Sequence, residues 1–387
     1  MLDRRLNRCP RADVFWGLTL FVTAQLGLAV AIECWLPELR DPRYACRAAK
    51  LCPRTVAADP KPLTLVMLGS SRVQDGLDSS ELERRLRRSF ACDVVLFNFG
   101  IPAAGPVANL LHFERLWATG VKPELLLVEV APMLLSGSDQ VPQEAAYYKA
   151  DRLWFHELAI VERYGVPVAD LRRDWWQDWP VPCHGHRFAI MSLFLPRLLP
   201  YHLRLVGDRQ VDQSGWLPRN TTPLTPEQRR LAQEHAWKDF GVPLLSFRLS
   251  DAACRAQREL LRRCREEHIA VALVWMPEGS KFQGWYPAEA ETRIRAHLVE
   301  LGDEFGVPLV DARDWVDDDG FIDGQHLHAL GAAVFTERLR RELLAPVLAL
   351  PREAWHSYLA SIRRPGERGG TDVARHHEPR GKSATVR

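Results

Sequence analysis

Short apolar runs of strand length recur along this chain, and the segments between them have the length and amphipathic pattern of helices. The apolar runs occupy residues 63–68, 94–97, 125–130, 269–275 and 307–311. Helical patterns occupy residues 79–89, 106–119, 250–267, 289–305 and 330–350. Because strands that alternate with helices pack as a parallel sheet covered on both faces, the pattern predicts an α/β fold.

The alternation is interrupted once, after the third strand. Residues 133–245 are rich in Trp, Tyr, His and Arg, and we expect them to form helices and loops inserted between two strands of the sheet. We place the α/β domain at residues 62–350. Residues 37–61, with several prolines and charges, are expected to be a linker, and the polar residues 364–387 a disordered tail.

An uncharged apolar run precedes the domain at residues 14–32, close to the length of about 20 residues that spans a bilayer. Arginines precede it at positions 4, 5, 8 and 11. The positive-inside rule then predicts a cytoplasmic segment at residues 1–13, a transmembrane helix at residues 14–36 and a periplasmic domain at the inner or plasma membrane. A cleaved signal peptide or a buried core helix is the alternative reading.

Charge and cysteine spacing exclude several classes of function. The net charge of +2 over 387 residues gives no basis for nucleic-acid binding. The eight cysteines form no paired CxxC motifs, and we expect no metal site and no cofactor. Cys46 and Cys52 would form a local disulfide if they lie outside the cytoplasm, or remain free thiols.

Three polar segments follow predicted strands, at the sheet edge where open α/β folds place their ligands. Gly69-Ser70-Ser71 follows the first strand, where a tight turn can expose the Ser71 hydroxyl and direct its N–H toward an oxyanion. A plain helix N-cap is the alternative. Gly100 follows the second strand, in the run Asn98-Phe99-Gly100, and its N–H can reach the same hole, unless it is only a loop glycine.

The third segment lies before the last helix and contains Asp323 and His326. An Asp three residues before a His can orient the imidazole, which then accepts the proton of a serine hydroxyl. A satisfied loop histidine is the alternative. Taken with the turn at Ser71, the pair suggests a Ser-His-Asp triad.

In their order along the chain, these blocks resemble the SGNH (GDSL-like) hydrolases, over about residues 63–345. The likeness is greatest to the extracytoplasmic branch that includes alginate O-acetylation proteins and the teichoic-acid D-alanyl transfer protein. The resemblance implies a flavodoxin-like three-layer sandwich with a central parallel sheet, and an oxyanion hole formed by Ser71 and Gly100. In that branch an Asn follows the His-Leu pair, whereas in this chain the residue at that position is His328.

The chain departs from this family at the third strand, where the family supplies an oxyanion-hole Asn. Here the strand ends Val128-Glu129-Val130, without an Asn. Asn98, Arg72, Glu278 and Glu129 are candidates for substrate contact at the same edge. For Arg72 we favour an ion pair with Asp75 or Asp78, and for Glu129 a salt bridge is the commoner outcome.

The resemblance implies an esterase or O-acyltransferase acting on an acylated envelope carbohydrate or a lipid-linked substrate. A multi-spanning membrane acyltransferase that supplies the acyl group is the partner that the resemblance implies. The absent Asn supports an alternative, a catalytically weak or inactive binding or scaffold subunit of an envelope polysaccharide-modifying complex. Phospholipid hydrolysis at the membrane surface is a third possibility.

Overall fold

Five parallel strands form one sheet in the order β2-β1-β3-β4-β5. The computed structural model describes residues 10–90, 93–200, 210–219 and 224–362, and the strands in these ranges are β1 (Leu63–Gly69), β2 (Val94–Gly100), β3 (Leu125–Val130), β4 (Ala270–Trp275) and β5 (Leu309–Asp311). Every residue of β1 to β4 is buried, as in a sheet covered on both faces. The chain adds β2 on one side of β1 and then β3 on the other, so the topological switch point lies at β1.

Helices surround the sheet and fill the insertion. In chain order they are α1 (Pro10–Cys34), α2 (Pro37–Arg40), α3 (Pro42–Thr55), α4 (Ser71–Gly76), α5 (Ser79–Ser89), α6 (Pro106–Ala118), α7 (Pro132–Leu135), α8 (Phe155–Arg163), α9 (Val168–Asp178), α10 (Pro182–Gly185), α11 (Arg187–Phe194), α12 (Pro226–Ala236), α13 (Val242–Leu245), α14 (Asp251–Glu266), α15 (Ser280–Gln283), α16 (Ala288–Phe305), α17 (Ala329–Leu339), α18 (Ala345–Leu348) and α19 (Trp355–Ser361).

Two hydrophobic cores lie on opposite faces of the sheet. Because successive residues of a strand point to opposite faces, Leu65 and Met67 pack with α5 and α17, whereas Val66 and Leu68 pack with α3, α6 and α14. The predicted three-layer sandwich with a central parallel sheet is therefore confirmed. The strand order is that of the flavodoxin-like fold.

The segment expected to be a linker, residues 37–61, instead contains α2 and α3. Asp41 caps α3 by accepting a hydrogen bond from the N–H of Tyr44 at 3.3 Å, and α3 buries Tyr44 and Leu51 against the sheet. The apolar face of α3 is short and interrupted by charges, which is why composition alone suggested a linker. Cys46 and Cys52 both lie on this helix and are free thiols.

Helices occupy the expected insertion, between β3 and α14. Its residues 210–219 cross to the free edge of β2, where the Asn98 N–H donates a hydrogen bond to the carbonyl oxygen of Ser214 at 2.8 Å. Part of the insertion therefore lies beside the carboxyl ends of the strands. The tail expected to be disordered, residues 364–387, lies outside the described residues.

Within the described ranges, Arg11–Cys34 is the one helix long and apolar enough to cross a membrane by length and composition. Its first half exposes large side chains, among them Val14, Trp16 and Leu20. Near its end Ala29 and Ile32 are buried, and α1 contacts α10 of the insertion. The last turns of α1 therefore pack against the folded domain, whereas its first half does not.

Candidate active site

The turn after β1 places Ser71 at the first position of α4. Ser70 is the N-cap, and its side-chain oxygen accepts a hydrogen bond from the N–H of Arg72 at 3.2 Å. A Cβ on Gly69 would come within 2.5 Å of a Glu129 oxygen and 2.4 Å of Val73, so only glycine permits this close approach. Ser71 remains partly exposed to solvent.

Ser71, His326 and Asp323 lie in contact at the carboxyl edge of the sheet. The His326 Nε2 lies 2.8 Å from the Ser71 hydroxyl oxygen, and its Nδ1 lies 2.7 Å from an Asp323 carboxylate oxygen. A carboxylate only accepts hydrogen bonds, so Nδ1 carries the imidazole proton toward Asp323. Nε2 is then free to accept the hydrogen bond of the serine hydroxyl, which is the arrangement of a hydrolytic triad.

A tight turn holds Asp323 in place. Its second carboxylate oxygen accepts the backbone N–H groups of Gln325 at 3.1 Å and His326 at 2.8 Å. Burial by itself would raise the pKa of Asp323, but the charge of His326 and these hydrogen bonds lower it to about 2. Asp323 is therefore ionised at neutral pH and can stabilise an imidazolium at His326.

His328 is an N-cap and does not take part in the triad. Its Nδ1 accepts the N–H groups of Leu330 at 3.2 Å and Gly331 at 3.3 Å, at the start of α17. Its Nε2 donates to the carbonyl oxygen of Asp319 at 2.6 Å, which determines the tautomer. The residue that departs from the family pattern thus caps the helix that follows His326.

The N–H of Gly100, expected as an oxyanion donor, is already hydrogen-bonded. It donates to the side-chain oxygen of Asn98 at 2.9 Å. The Asn98 amide nitrogen faces the carbonyl oxygens of Val73 at 2.7 Å and Leu77 at 2.9 Å, so the other amide atom must be the oxygen. Gly100 is therefore not a free donor. Among the residues that the structure describes, the Ser71 N–H is the one of the two expected donors without a hydrogen-bond partner.

A glycine is required at position 100 because of the close packing of β2 against α4. Its backbone is not in the left-handed conformation, so backbone strain is not the reason. A Cβ at this position would lie 2.3 Å from the backbone nitrogen of Gln74. Asn98 is fully buried between β2 and α4, so it does not face the exterior as the expectation of substrate contact requires. Both residues hold α4 against the strand and thereby position Ser71.

Arg72, Glu129 and Glu278 form a buried charge cluster under the turn that contains Ser71. A guanidinium nitrogen of Arg72 lies 3.2 Å from Glu278, and its Nε lies 3.8 Å from Glu129. The expected pairing of Arg72 with Asp75 or Asp78 is wrong, because the Arg72 side chain points inward beneath the turn, toward β3 and the end of β4. All three side chains are at least 95% buried and paired with one another, so they hold the turn in place, and substrate contact by them stays a prediction.

Glu129 occupies the strand end where the family pattern has its Asn. Its carboxylate accepts hydrogen bonds from both the N–H and the hydroxyl of Ser70. Burial raises the pKa of Glu129, against the charge of Arg72 and the hydrogen bonds from Ser70. The side chain thus anchors the residue that precedes Ser71.

Asp75 and Arg219 are neighbours of the triad that the sequence analysis did not identify as a pair. Asp75 is one helical turn after Ser71, is fully buried, and forms an ion pair with the Arg219 Nε at 2.9 Å. Burial raises the pKa of Asp75, while the charges of Arg219 and His326 lower it. Helical spacing from Ser71 could have indicated Asp75, but Arg219 arrives from the insertion, and no local pattern marks it.

Comparison with known proteins gives one family profile and several solved structures. The profile, described as "Protein of unknown function (DUF1574)", matches residues 48–163. A search of curated proteins found no match. The solved structures described next are at most 15% identical in sequence to this chain.

One such structure is a lipase/acylhydrolase from Enterococcus faecalis, 12% identical over 73% of this chain and 96% of that chain, with a TM-score of 0.34. Another is AlinE4, described as an SGNH-hydrolase family esterase, 15% identical over 75% of this chain and 98% of that chain, with a TM-score of 0.29. A third is a catalytic mutant of an acetylxylan esterase from Geobacillus stearothermophilus. It is 9% identical over 75% of this chain and 95% of that chain, with a TM-score of 0.32. Sequence identities and TM-scores this low do not allow an activity or a substrate to be inferred for this chain from these proteins. The chemistry of the site must be argued from the chain's own residues.

Proposed function

We propose that this chain is a membrane-anchored serine esterase or O-acyltransferase that uses Ser71, His326 and Asp323. The observation that carries the proposal is the unbroken hydrogen-bonded sequence from the Ser71 hydroxyl through His326 to Asp323, with distances of 2.8 Å and 2.7 Å. These three side chains lie at the switch point of the sheet, where open α/β folds bind their ligands, and Ser71 is partly exposed. Both features support access by a substrate.

In the proposed reaction the Ser71 oxygen attacks the carbonyl carbon of an acyl ester while its proton passes to His326 Nε2. The Ser71 N–H stabilises the oxyanion of the tetrahedral intermediate. The intermediate then collapses to an acyl-serine, and the leaving alcohol takes the proton from His326. Water or a sugar hydroxyl then gives its proton to His326 and attacks the acyl carbon. As the bond from the acyl group to Ser71 breaks, His326 returns that proton to the Ser71 oxygen, which restores the hydroxyl.

The substrate proposed is an acylated cell-envelope carbohydrate or a lipid-linked molecule. Attachment to a membrane is supported by α1 and by the neighbouring α11, which exposes Phe188 and Phe194. The arginines before α1 support a periplasmic domain at the inner or plasma membrane. In a transfer reaction, a multi-spanning membrane acyltransferase would supply the acyl group.

A serine-reactive fluorophosphonate probe tests the triad in the full chain in detergent. We expect labelling of the wild-type protein, no labelling of Ser71→Ala, and unchanged labelling of the control Ser246→Ala, which removes an exposed hydroxyl. Labelling that persists in Ser71→Ala would exclude Ser71 as the nucleophile. Acetylated sugars and phospholipid vesicles, supplied separately to protein that has not been exposed to the probe, distinguish a carbohydrate esterase from a phospholipid hydrolase.

One observation favours a second candidate, a weak or inactive scaffold subunit. The hydrogen bond from the Gly100 N–H to Asn98 and the absence of an Asn at the end of β3 leave the oxyanion hole short of donors. The loss of one donor typically lowers kcat by about a hundredfold or more. Folded wild-type protein that takes up no probe at all would support the scaffold.

A further inference from the structure

A small cavity lies behind the loop that follows β2, and this loop contacts the turn that contains Ser71. This loop, residues 101–104, lies against the turn because the Ile101 N–H donates to the carbonyl oxygen of Gly69 at 2.8 Å. The same loop forms one wall of a cavity of about 70 Å³. The opposite walls come from the start of α3 and from residues 144–153 of the insertion.

Among the charged side chains that line this cavity, cations outnumber acids by four to two. Its cations are Arg43, Arg115, Lys149 and Arg152, and its acids are Asp41 and Glu144. Arg115 is held internally, at 2.7 Å from both Asp41 and Glu157. The Glu144 carboxylate accepts three backbone N–H groups at the start of α6. Both acidic side chains of the lining, Asp41 and Glu144, are therefore already paired or hydrogen-bonded within the protein.

Lys149 and Arg152 are the cations available to a ligand. Neither side chain forms an ion pair within 4.0 Å with another described residue, and Asp151 acts on both only through its charge. Lys149 is exposed and Arg152 is partly exposed at the rim of the cavity. An anion that enters the cavity can therefore meet two positive charges without displacing an internal partner.

A buried histidine in the lining of this cavity has a side-chain nitrogen without a hydrogen-bond partner among the described residues. His112 lines it, is 6% exposed, and its Nδ1 has no partner among the described residues. Burial and the charge of Arg115 lower the pKa of His112 to about 3, so the ring is neutral at physiological pH. The neutral ring therefore adds no charge to the cavity, and the cations of the lining are what would attract an anion.

We propose that this cavity is a subsite for an anionic group, a carboxylate or a phosphate, on the molecule that carries or receives the acyl group at Ser71. The proposal rests on the function proposed above and narrows its substrate class to acidic or phosphorylated molecules. A water molecule needs roughly 10–15 Å³ in this measure of volume, so the cavity has room for a group of a few heavy atoms and not for a whole sugar ring. The rest of the substrate would extend from the rim toward Ser71.

Equilibrium binding of two probes to the full chain in detergent tests the subsite. Inorganic phosphate represents a phosphorylated substrate, and methyl glucuronide represents an acidic sugar, both at constant ionic strength. We expect one saturable site for at least one probe. The double variant Lys149→Ala/Arg152→Ala should weaken that site by at least about tenfold, because two charge-assisted contacts are lost.

Two further variants separate the local contacts from net charge and from damage to the fold. Arg293→Ala/Arg341→Ala also removes two positive charges, from exposed side chains paired elsewhere, and should change binding by less than about twofold, as expected for screened surface charge. Lys149→Arg/Arg152→Lys keeps both charges and should retain the site. Binding of phosphate alone, of glucuronide alone or of both identifies the anion that the subsite accepts.

The proposal fails if neither probe binds saturably, or if the Arg293/Arg341 variant loses binding as much as the Lys149/Arg152 variant. These outcomes are distinct from failure of the hydrolase proposal, because binding needs no turnover. Ser71→Ala should bind the probes as the wild type does. Fluorophosphonate labelling without anion binding would retain the hydrolase and reject the subsite, and the reverse result would do the opposite.

Discussion

The Glu129 carboxylate accepts hydrogen bonds from both the N–H and the hydroxyl of Ser70, the residue that precedes the proposed nucleophile. The same carboxylate lies 3.8 Å from Arg72, the residue that follows Ser71. One buried side chain from β3 therefore holds the turn on both sides of Ser71. Glu129 thus occupies the position at which the family that this chain resembles has the Asn of the oxyanion hole, and here the side chain at that position holds the turn.

Glu129→Ala should destabilise the protein by on the order of 3 kcal/mol, because it leaves the buried Ser70 N–H and part of the Arg72 charge without a partner. Probe labelling of Ser71 should also slow at temperatures where the variant is still folded. Thermal unfolding and the labelling rate measure the two effects. The control Glu162→Ala removes a carboxylate from an exposed pair with Arg172 and should cost less than about 1 kcal/mol. Equal losses in both variants would contradict the anchoring role.

Asn98→Ala should be more destabilising than Asn109→Ala, although both remove a buried amide of the same size. Asn98 donates to the carbonyl oxygens of Val73 and Leu77 and accepts from Gly100, so its loss leaves several buried groups unpaired, at about 1–3 kcal/mol each. The Asn109 side-chain oxygen already lacks a partner among the described residues. Denaturant unfolding of the two variants compares them, and a larger loss for Asn109→Ala would refute the hydrogen bonds described for Asn98.

Gly100→Ala should shift α4 or prevent folding, since the added Cβ would lie 2.3 Å from the backbone nitrogen of Gln74. Overpacking of this kind costs about 1–3 kcal/mol or more. Because Ser71 begins α4, labelling should fall together with stability. Gly284→Ala is the matched control, as its Cβ would meet no atom closer than 3.5 Å. Normal stability and labelling in Gly100→Ala would show that β2 and α4 are not packed this closely.

Asp323→Asn should lose stability in a pH-dependent way. The pKa of Asp323 is about 2, below the value near 3.9 of an unfolded chain, so the charged form stabilises the fold above about pH 4 and this contribution disappears as the pH falls toward 2. The free energy of unfolding should differ from wild type by about 2 kcal/mol at neutral pH and by progressively less from pH 4 to pH 2. Asp139→Asn, at an exposed position, should show no such trend. A difference that stays constant with pH would argue against the contact with His326.

The strands and the order of the polar blocks follow from local patterns in the sequence. All five strands lie within two or three residues of the apolar runs, because a strand buried on both faces must be apolar along its length. The roles of Ser71, His326 and Asp323 stay predictions, although the structure brings these side chains into contact.

Local chemistry by itself determined which segments become strands, that glycine and serine form the turn after β1, and that Asp323 can reach His326 three residues away. Only the tertiary structure decided where long side chains and backbone donors find their partners. The Arg72 guanidinium meets Glu129 of β3 and Glu278 of the loop after β4, the Gly100 N–H is taken by Asn98, and Arg219 of the insertion reaches Asp75. The physical reason is that a buried polar group must pair with whatever lies within about 3 Å in space, and distance along the chain does not determine that neighbour.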